Sequence, residues 1–252
     1  MNRELVSIIT PVYNAERFIK DTIRTVQAQT YDNWELLLVN DCSADNSEKI
    51  IKQHAKNDKR IKLINLETNS GSAKARNTAI EASTGRYLAF LDADDIWESN
   101  KLEKQIKFMQ DNKAAFIYSN YEFADETGKP NGKKVTVPKT INYEEALKNL
   151  IIWTSTVMVD TTLINRDSIR MPNVKRGQDM ATWWSLLKQI DHADGMQDIT
   201  AYYRRYADSL SANKLKALQR TWILYRQVEK MSFLKSSSCF IPYVFNAIKK
   251  RI

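Results

Sequence analysis

Apolar and polar positions alternate in a regular way along the first hundred residues. Short apolar runs rich in leucine and β-branched residues are separated by segments in which apolar residues recur at helical spacing. The predicted strands cover residues 6–10, 34–39, 60–65 and 86–91, and helices are expected to follow near residues 18, 45 and 71. Strands that alternate with helices predict βαβ units and a mainly parallel sheet. We therefore expect an α/β fold that binds ligands beyond the carboxyl ends of its strands.

The pattern is looser after residue 97. Helices are expected over 100–112, 143–151 and 178–189, and strands over 115–119, 156–160 and 200–206. The turn-rich segment 127–132 is expected to be a hairpin tip or a mobile loop. Because no repeat or low-complexity linker interrupts the chain, we expect one domain over residues 1–213, in two halves that meet at residue 97, and then a helical tail over 214–252.

The net charge of +8 is unevenly distributed. Residues 214–252 contain nine basic residues and one acidic residue, so the preceding body carries no net charge. We expect no nucleic-acid partner, because such proteins usually have a basic face on the folded body. Apolar residues in the tail recur at helical spacing, and segment 240–248 is mainly apolar and precedes three basic residues. Two interpretations remain open for that segment: contact with an anionic membrane surface, and packing on the body or on another subunit of a homo-oligomer.

Several classes of protein have no support in the sequence. No apolar run approaches the roughly 20 residues that a spanning helix needs, and the first residues show no signal-peptide pattern. Two cysteines are too few for a disulfide framework, and two histidines cannot build a histidine-rich zinc site. Walker, G-x-G-x-x-G, G-x-S-x-G and H-E-x-x-H motifs are missing from the sequence. We therefore expect a cytoplasmic protein.

Acidic residues collect where predicted strands end. Asp92, Asp94 and Asp95 follow the fourth strand, and Asp41 follows the second. Crowded carboxylates repel one another unless a cation or hydrogen-bond donors compensate. Mg²⁺ or Mn²⁺ would need only one or two protein oxygens here, if phosphates and water complete its coordination. The alternatives are a helix cap for the three aspartates and a turn for Asp41.

Two further segments carry candidate chemistry. Gly71 permits close backbone approach after the third strand, and the cations Lys74 and Arg76 near a helix start suit a diphosphate. Asp179, just before a helix, suits a general base, which must lie within hydrogen-bond reach of the proton it removes. The alternatives are an ordinary helix with solvated charges and, for Asp179, a helix cap.

Together these segments resemble the family 2 glycosyltransferases of the GT-A fold. The matching segments, in chain order, are 6–14 (VSIITPVYN), 39–45 (VNDCSAD), 69–77 (NSGSAKARN) and 90–97 (FLDADDIW). The likeness continues to about residue 213 through Gly177-Gln-Asp179 and through Tyr203-Arg204 with Ser209-Leu-Ser211, as in bacterial surface-polysaccharide transferases. The resemblance implies a Rossmann-like, mainly parallel central sheet flanked by helices. It also implies a nucleotide-binding half over residues 1–97 and an acceptor-binding half over 98–213, which the helical tail predicted from the apolar spacing then follows.

The resemblance also implies roles for individual residues. The residues that would bind the nucleotide-sugar are Pro11, Tyr13, Asn14, Asp41, Gly71, Lys74, Arg76, Asp92, Ala93 and Asp94. Tyr13 would pack on the nucleotide base. Asp41 would bind the same nucleotide base, which in this family is typically uracil. Asp94 would ligate Mn²⁺ or Mg²⁺, Asp92 would reach the ribose or a metal-bound water, and Asp95 could share the metal.

The implied reaction is the inverting, metal-dependent transfer of one sugar from a nucleotide-sugar, typically a UDP-sugar, with Asp179 as the base. The acceptor would be a hydroxyl of a saccharide or of a lipid-linked acceptor in surface polysaccharide biosynthesis. If the basic tail contacts a membrane, the enzyme would be peripheral on the inner face of the cell membrane. Single transfer is expected because the Q-x-x-R-W motif of processive synthases is missing from the sequence. Gln178 stands where the family usually has Glu, which leaves open a catalytically silent, nucleotide-binding partner subunit. Asn40 and Cys42 stand where relatives often have Asp and Gly, so the donor base is open as well.

Overall fold

The fold is taken from a computed structural model that describes residues 4–174, 176–206 and 214–249. Ser209-Leu-Ser211 of the sequence motif and the terminal Lys250 and Arg251 lie outside the described residues. The strands of this part of the chain are β1 (Val6–Val12), β2 (Trp34–Asn40), β3 (Ile61–Asn65), β4 (Tyr87–Phe90), β5 (Ile96–Trp97), β6 (Phe116–Ala124), β7 (Pro130–Val135), β8 (Thr140–Ile141), β9 (Met158–Asp160) and β10 (Ala193–Arg204). The α-helices are α1 (Ile19–Gln27), α2 (Ser47–Asn57), α3 (Ser72–Ala82), α4 (Lys101–Asn112), α5 (Tyr143–Lys148), α6 (Gln178–Leu187), α7 (Lys214–Ile223) and α8 (Phe233–Lys249).

The strands form one sheet in the order β3-β2-β1-β4-β9-β6-β10-β5, with β7 beside β6 and β8 beside β10. The first four strands of this order are parallel, as the βαβ pattern predicts. The second half is mixed, because β9 lies antiparallel between β4 and β6, whereas β10 runs parallel to β6. Parallel strands end at the same edge, so the loops after β1, β2 and β4 meet there.

The sheet is covered on both faces by helices. β2 is buried along its whole length, which explains its mainly apolar sequence. Side chains such as Ile23 of α1 and Leu102 of α4 fill one face, and side chains of α3, α5 and α6 fill the other, where Phe90 meets Trp183. The chain therefore forms a three-layer α/β/α structure.

Most predicted elements are present, with two notable differences. Strand β10 begins at Ala193, seven residues before the predicted start, and register shifts near Met196 and Ile199 interrupt its pairing with β6. Helix α5 ends at Lys148, three residues early. The turn-rich segment forms the tip and the start of the returning strand of the β6–β7 hairpin, which agrees with the first of its two predicted forms.

The tail is helical, and part of it belongs to the core. Between α7 and α8 lies a π-helical turn, Leu224–Val228, whose Leu224 and Tyr225 are buried. The Tyr225 ring stacks on Trp184 at 5.4 Å between centroids, and its hydroxyl donates to the carbonyl of Leu147. Helix α8 buries one side but exposes Leu234, Ile241 and Phe245 by 70–81%. Across the described ranges, each helix is too short or too polar to cross a membrane.

Candidate active site

The loop after β4 carries three of the predicted aspartates, and helix α1 holds it in place. The Thr22 hydroxyl lies 2.9 Å from the carbonyl oxygen of Ala93 and 3.0 Å from that of Asp95. The Arg204 guanidinium, almost fully buried, donates from Nε to the carbonyl of Asp94 at 2.9 Å. The backbone of Asp92-Ala93-Asp94, here called the D-x-D segment, is therefore fixed from two sides.

Arg76 lies among the carboxylates of this edge. Its guanidinium donates to Asp92 Oδ1 at 2.6 Å, and the arginine side chain is only 7% exposed. Burial alone would lower the pKa of Arg76, but the negative charges of Asp92, Asp179 and Asp94 outweigh it and raise that pKa. Its buried Nε has no hydrogen-bond partner within the described part of the chain. Arg76 thus joins the D-x-D segment electrostatically to the predicted base.

Asp94 and Asp95 occupy different environments. Asp94 is partly exposed, and its Oδ2 accepts a hydrogen bond from the Tyr206 hydroxyl at 2.9 Å. Burial and the neighbouring Asp92 raise the pKa of Asp94. Asp95 is 1% exposed, and burial with the charges of Asp94 and Asp92 raises its pKa well above the usual range. Asp92 and Asp94 therefore face the open edge, whereas Asp95 lies beneath it.

A short 3₁₀ turn, Thr154–Thr156, is hydrogen-bonded to three of the aspartates. Thr154 Oγ1 donates to Asp179 Oδ2 at 3.1 Å, and Ser155 Oγ donates to Asp95 Oδ2 at 2.5 Å. Ser155 Oγ also accepts the backbone N–H of Asp92 at 3.1 Å. Sequence reasoning missed Thr154 and Ser155; the only available signal was a run of hydroxyl residues before a short strand.

The predicted base lies at the start of α6. Asp179 is partly exposed and is the second residue of α6. The helix is preceded by Gly177, which has a φ of 80°. Gln178 is buried, and its amide donates to Ser72 Oγ at the start of α3. The first turns of α3 and α6 are therefore joined, and Arg76 of α3 is held near Asp179.

The predicted nucleotide residues lie after β1, β2 and β3. Both carboxylate oxygens of Asp41 accept backbone N–H groups, from Ser70 at 2.7 Å and from Gly71 at 2.8 Å. Gly71 has a φ of 86°, and a Cβ there would meet no atom within 4 Å, so its backbone borders open space. Tyr13 is 55% exposed. Asn14 Oδ1 accepts the backbone N–H of Ala44 at 2.9 Å, which joins the loops after β1 and β2.

The structure thus brings the predicted residues to one edge in two groups. The first contains Arg76, Asp92, Asp94, Asp95 and Asp179. The second contains Asp41 and Gly71, with Tyr13 and Asn14 on the neighbouring loop. Pro11 lies near the end of β1, and the exposed Lys74 lies on α3 between the groups.

The carboxylates at this edge could bind a divalent cation only if a bound substrate supplied further oxygen ligands. Among the residues that the structure describes, no three His, Cys, Asp or Glu side chains are grouped so that they could hold a metal ion. Asp92 and Asp94 nevertheless provide crowded carboxylates whose repulsion a cation would relieve. Mg²⁺ is usually bound by one or two carboxylates together with substrate phosphates.

Comparison with known proteins identifies the family. The sequence model of glycosyl transferase family 2 matches residues 7–170. The chain belongs to glycosyltransferase family 2. It is therefore a glycosyltransferase, which confirms the family that the motifs indicated.

Two relatives match this glycosyltransferase over most of their length. A Bacillus subtilis protein named as a teichuronic acid biosynthesis glycosyltransferase, TuaG, is 45% identical over 99% of this chain and 98% of its own. The Escherichia coli UDP-Glc:α-D-GlcNAc-diphosphoundecaprenol β-1,3-glucosyltransferase WfgD is 43% identical over 88% of this chain and 85% of its own.

Solved structures show the same fold. Staphylococcus aureus TarS in complex with UDP-GlcNAc has a TM-score of 0.71 at 18% identity, covering 96% of this chain and 72% of that chain. The mannosyltransferase PcManGT of Pyrobaculum calidifontis, in complex with GDP-Man and Mn²⁺, has a TM-score of 0.66 at 16% identity, covering 99% and 72%. A parallel βαβ half followed by a mixed half, flanked by helices, is the GT-A fold, which confirms the predicted fold class.

Proposed function

We propose that this enzyme transfers one sugar from a UDP-sugar to a hydroxyl of a lipid-linked saccharide, with inversion at the anomeric carbon, in surface polysaccharide synthesis. The observation that carries the proposal is the convergence of Asp92, Asp94 and Asp179 on Arg76. The names of TuaG and WfgD, and the UDP-GlcNAc bound to TarS, support the pathway and the donor class.

Asp179 is the proposed base. Its carboxylate takes the proton of the acceptor hydroxyl as that oxygen bonds to the anomeric carbon and the bond from that carbon to the diphosphate breaks. Thr154 orients this carboxylate through its hydrogen bond, and the buried Arg76 supplies a fixed positive charge near it.

Asp94, together with Asp92, is proposed to hold Mn²⁺ or Mg²⁺, as the Mn²⁺ complex of PcManGT suggests for this fold. When bound, the cation would neutralise charge on the departing diphosphate. Asp95 is too deeply buried to be the principal ligand, and its hydrogen bond to Ser155 supports a role in shaping the loop.

The nucleotide is proposed to bind over the ends of β1, β2 and β3. The exposed Tyr13 ring can pack on a base, and Pro11 and Asn14 shape the neighbouring loop. Asp41 fixes the turn that contains Gly71, so its role includes holding the open backbone of that turn in place. Lys74 is exposed near the start of α3, where a cation suits a diphosphate.

Ligand binding and turnover test this proposal separately. UDP with Mn²⁺ should raise the melting temperature of the protein, because a ligand bound only by the folded state stabilises it. Asp94→Asn should abolish the Mn²⁺-dependent part of that shift, whereas Asp179→Asn should keep it. A full Mn²⁺-dependent shift in the Asp94→Asn protein would refute the assigned metal site.

Release of UDP from UDP-sugars, with water or an added acceptor, then tests catalysis. Asp179→Asn should lower UDP release by at least about 100-fold, which lies within the range attributed to a positioned base. If wild-type protein binds UDP but releases none from any UDP-sugar, the catalytically silent partner suggested by Gln178 is the correct alternative.

Helix α8 is proposed to place the enzyme on an anionic membrane surface, where a lipid-linked acceptor would be found. Its exposed Leu234, Ile241 and Phe245 recur at intervals of seven and four residues, which puts them on one side of the helix. The helix ends at Lys249, and Lys250 and Arg251 follow in the sequence. Exposed apolar side chains with neighbouring basic residues are typical of interfacial helices on anionic lipid.

A further inference from the structure

Four aromatic residues form a cluster, here called the aromatic wall, next to the aspartates: Tyr121, Phe123, Trp153 and Tyr203. The Trp153 ring lies 4.6 Å from that of Tyr121 and 4.9 Å from that of Tyr203, between centroids. Phe123 and Tyr203 are 5.6 Å apart. Tyr121 is buried beneath the cluster, whereas the other three rings are partly exposed.

The wall lies at the same edge of the sheet as the aspartates. β9 pairs with β6 at Phe116 and Ile117, and β6 then continues beyond that pairing to Tyr121 and Phe123. Tyr203 of β10 lies opposite Phe123 in the parallel pairing. Burial raises the pKa of Tyr121, and the charges of Tyr203 and Asp95 add to this effect.

The wall is also joined directly to the proposed base. Trp153 immediately precedes Thr154, whose hydroxyl donates to Asp179 at 3.1 Å. An acceptor hydroxyl that gives its proton to Asp179 must lie within hydrogen-bond reach of that carboxylate. The rest of the acceptor must therefore occupy space beside the Thr154 turn.

The order of strands distinguishes the acceptor side from the donor side. The proposed nucleotide residues follow β1, β2 and β3, and the aspartates follow β4. The wall is built on β6, β10 and the turn before β9, on the other side of the aspartates. A nucleotide bound at the second group, around Asp41 and Gly71, would therefore lie on the opposite side of the aspartates from the wall.

The exposure of these rings differs from that of the aromatic residues of the core. Trp183 and Trp184 are 2% and 1% exposed, as expected for side chains that only fill space. Trp153, Phe123 and Tyr203 are only partly buried, and the Arg205 guanidinium lies 5.3 Å from the centroid of the Phe123 ring. Tryptophan and tyrosine offer large, rigid contact surfaces at a low cost in conformational entropy, and ligand sites are commonly lined by such residues.

We infer that the aromatic wall is the subsite that binds the acceptor sugar, with the apolar C–H face of a pyranose ring packed on Trp153 and Tyr203. This inference rests on the proposed function, because it takes the bound saccharide to be the acceptor for the sugar that Asp179 helps to transfer. Trp153 and Tyr203 would then determine which pyranose faces Asp179.

Saturation-transfer NMR on the full chain tests the subsite. The probe is α-D-GlcNAc diphosphate carrying an octyl chain, chosen because WfgD is named for an acceptor that bears this sugar diphosphate. Wild-type protein should transfer saturation to the protons of the sugar ring. Trp153→Leu and Tyr203→Leu should each weaken probe binding about tenfold, because truncating a buried aromatic contact commonly costs more than 1 kcal/mol.

Two further variants provide controls. Trp222→Leu removes another partly exposed tryptophan, which packs on Phe233 and Phe240 of the tail, and should bind the probe as wild type does. Trp153→Phe keeps an aromatic face and should retain part of the affinity.

UDP binding, measured on the same samples, separates this inference from the proposed function. Trp153→Leu should keep the UDP-induced rise in melting temperature, because the wall lies away from the nucleotide group. Unchanged probe affinity in both leucine variants would overturn the subsite, and so would an equal loss of UDP binding in Trp153→Leu. Wild type that binds the probe through the wall but binds no UDP would contradict the donor assignment alone.

Discussion

At the scale of single residues, Arg76 is hydrogen-bonded to Asp92 and carries its charge near Asp179, the proposed base, so its replacement should be costly. Arg76→Gln leaves Asp92 without its buried partner, so we expect a loss of about 1–3 kcal/mol in the free energy of unfolding, less than for a fully buried pair because the Asp92 side chain is 29% exposed. Urea denaturation of the wild-type and variant proteins measures this difference in the free energy of unfolding. Arg170→Gln breaks an exposed pair with Glu81 and should cost no more than about 1 kcal/mol.

The double variant Arg76→Gln/Asp92→Asn separates stability from catalysis. Removal of both charges should restore much of the lost stability, since Asp92 is no longer a charged group without its partner. UDP release should stay low, because the charge beside Asp179 is still missing. Recovery of turnover in the double variant would show that Arg76 acts only on folding.

Glu35 gives a prediction about pH. Its carboxylate accepts hydrogen bonds from Ser7 Oγ, from Lys62 Nζ and from the backbone N–H of Thr84. Burial alone would raise the pKa of Glu35, but these hydrogen bonds outweigh it and lower the pKa from 4.5 to about 2. Because the folded pKa is depressed, the stabilisation is complete above about pH 4.5 and is lost as pH falls toward about 2.

Urea denaturation as a function of pH checks this. Glu35→Gln should reduce the free energy of unfolding by roughly 2–3 kcal/mol at pH 7 and by progressively less between pH 4.5 and 2. Glu81→Gln, at an exposed carboxylate, should cost no more than about 1 kcal/mol and show little of this pH dependence. A constant cost for Glu35→Gln across the range would rule out the ionised hydrogen-bonded carboxylate as its source.

At the scale of elements, the tail packs on Gly177, which precedes the helix that contains the proposed base. A Cβ at Gly177 would lie 2.8 Å from Leu224 Cδ1 and 3.0 Å from Arg220 Cδ, so α7 and the π-helical turn pack directly on this glycine. Gly177→Ala should therefore displace the start of α6, in addition to about 1–2 kcal/mol for a side chain at positive φ.

Gly132→Ala is the matched control, because its φ is 85° but a Cβ there would meet no atom within 4 Å. Gly132→Ala should lower the melting temperature only through the conformational cost of a side chain at positive φ, and it should leave UDP release unchanged. Gly177→Ala should lower both the melting temperature and UDP release. Adding Leu224→Ala should recover UDP release, because it makes room for the new Cβ at position 177. Equal effects of the two glycine substitutions would mean that the tail does not support the site.

The elements also show what the sequence could predict and why the rest was missed. β1, β2 and β4 were readable because strands buried on both faces require mainly apolar sequence, which these three have. The first part of β10 was not, because bulges near Met196 and Ile199 break the alternation and polar residues stand among them. Thr154 and Ser155 were missed because their roles depend on contacts with Asp179 and Asp95, which are distant in sequence.

At the scale of the whole molecule, net charge and exposed apolar surface occur together in the tail. The body over residues 1–213 is neutral, whereas the tail carries the net charge of +8 and exposes Leu234, Ile241 and Phe245. Contact with lipid adds an apolar contribution to an electrostatic one, so binding should depend on both anionic lipid and salt.

Vesicle co-sedimentation measures this association. Wild-type protein should pellet with phosphatidylglycerol vesicles, less with phosphatidylcholine, and less again at high salt, since salt screens the charges. Ile241→Glu/Phe245→Glu should abolish pelleting without unfolding the protein, because both side chains are 70% exposed. Leu163→Glu, at a 57% exposed leucine of the body, should pellet as wild type does. Equal pelleting of all three proteins would exclude α8 as the lipid contact, and a wild-type dimer that only the α8 variant dissociates would assign the same surface to a second copy of the chain.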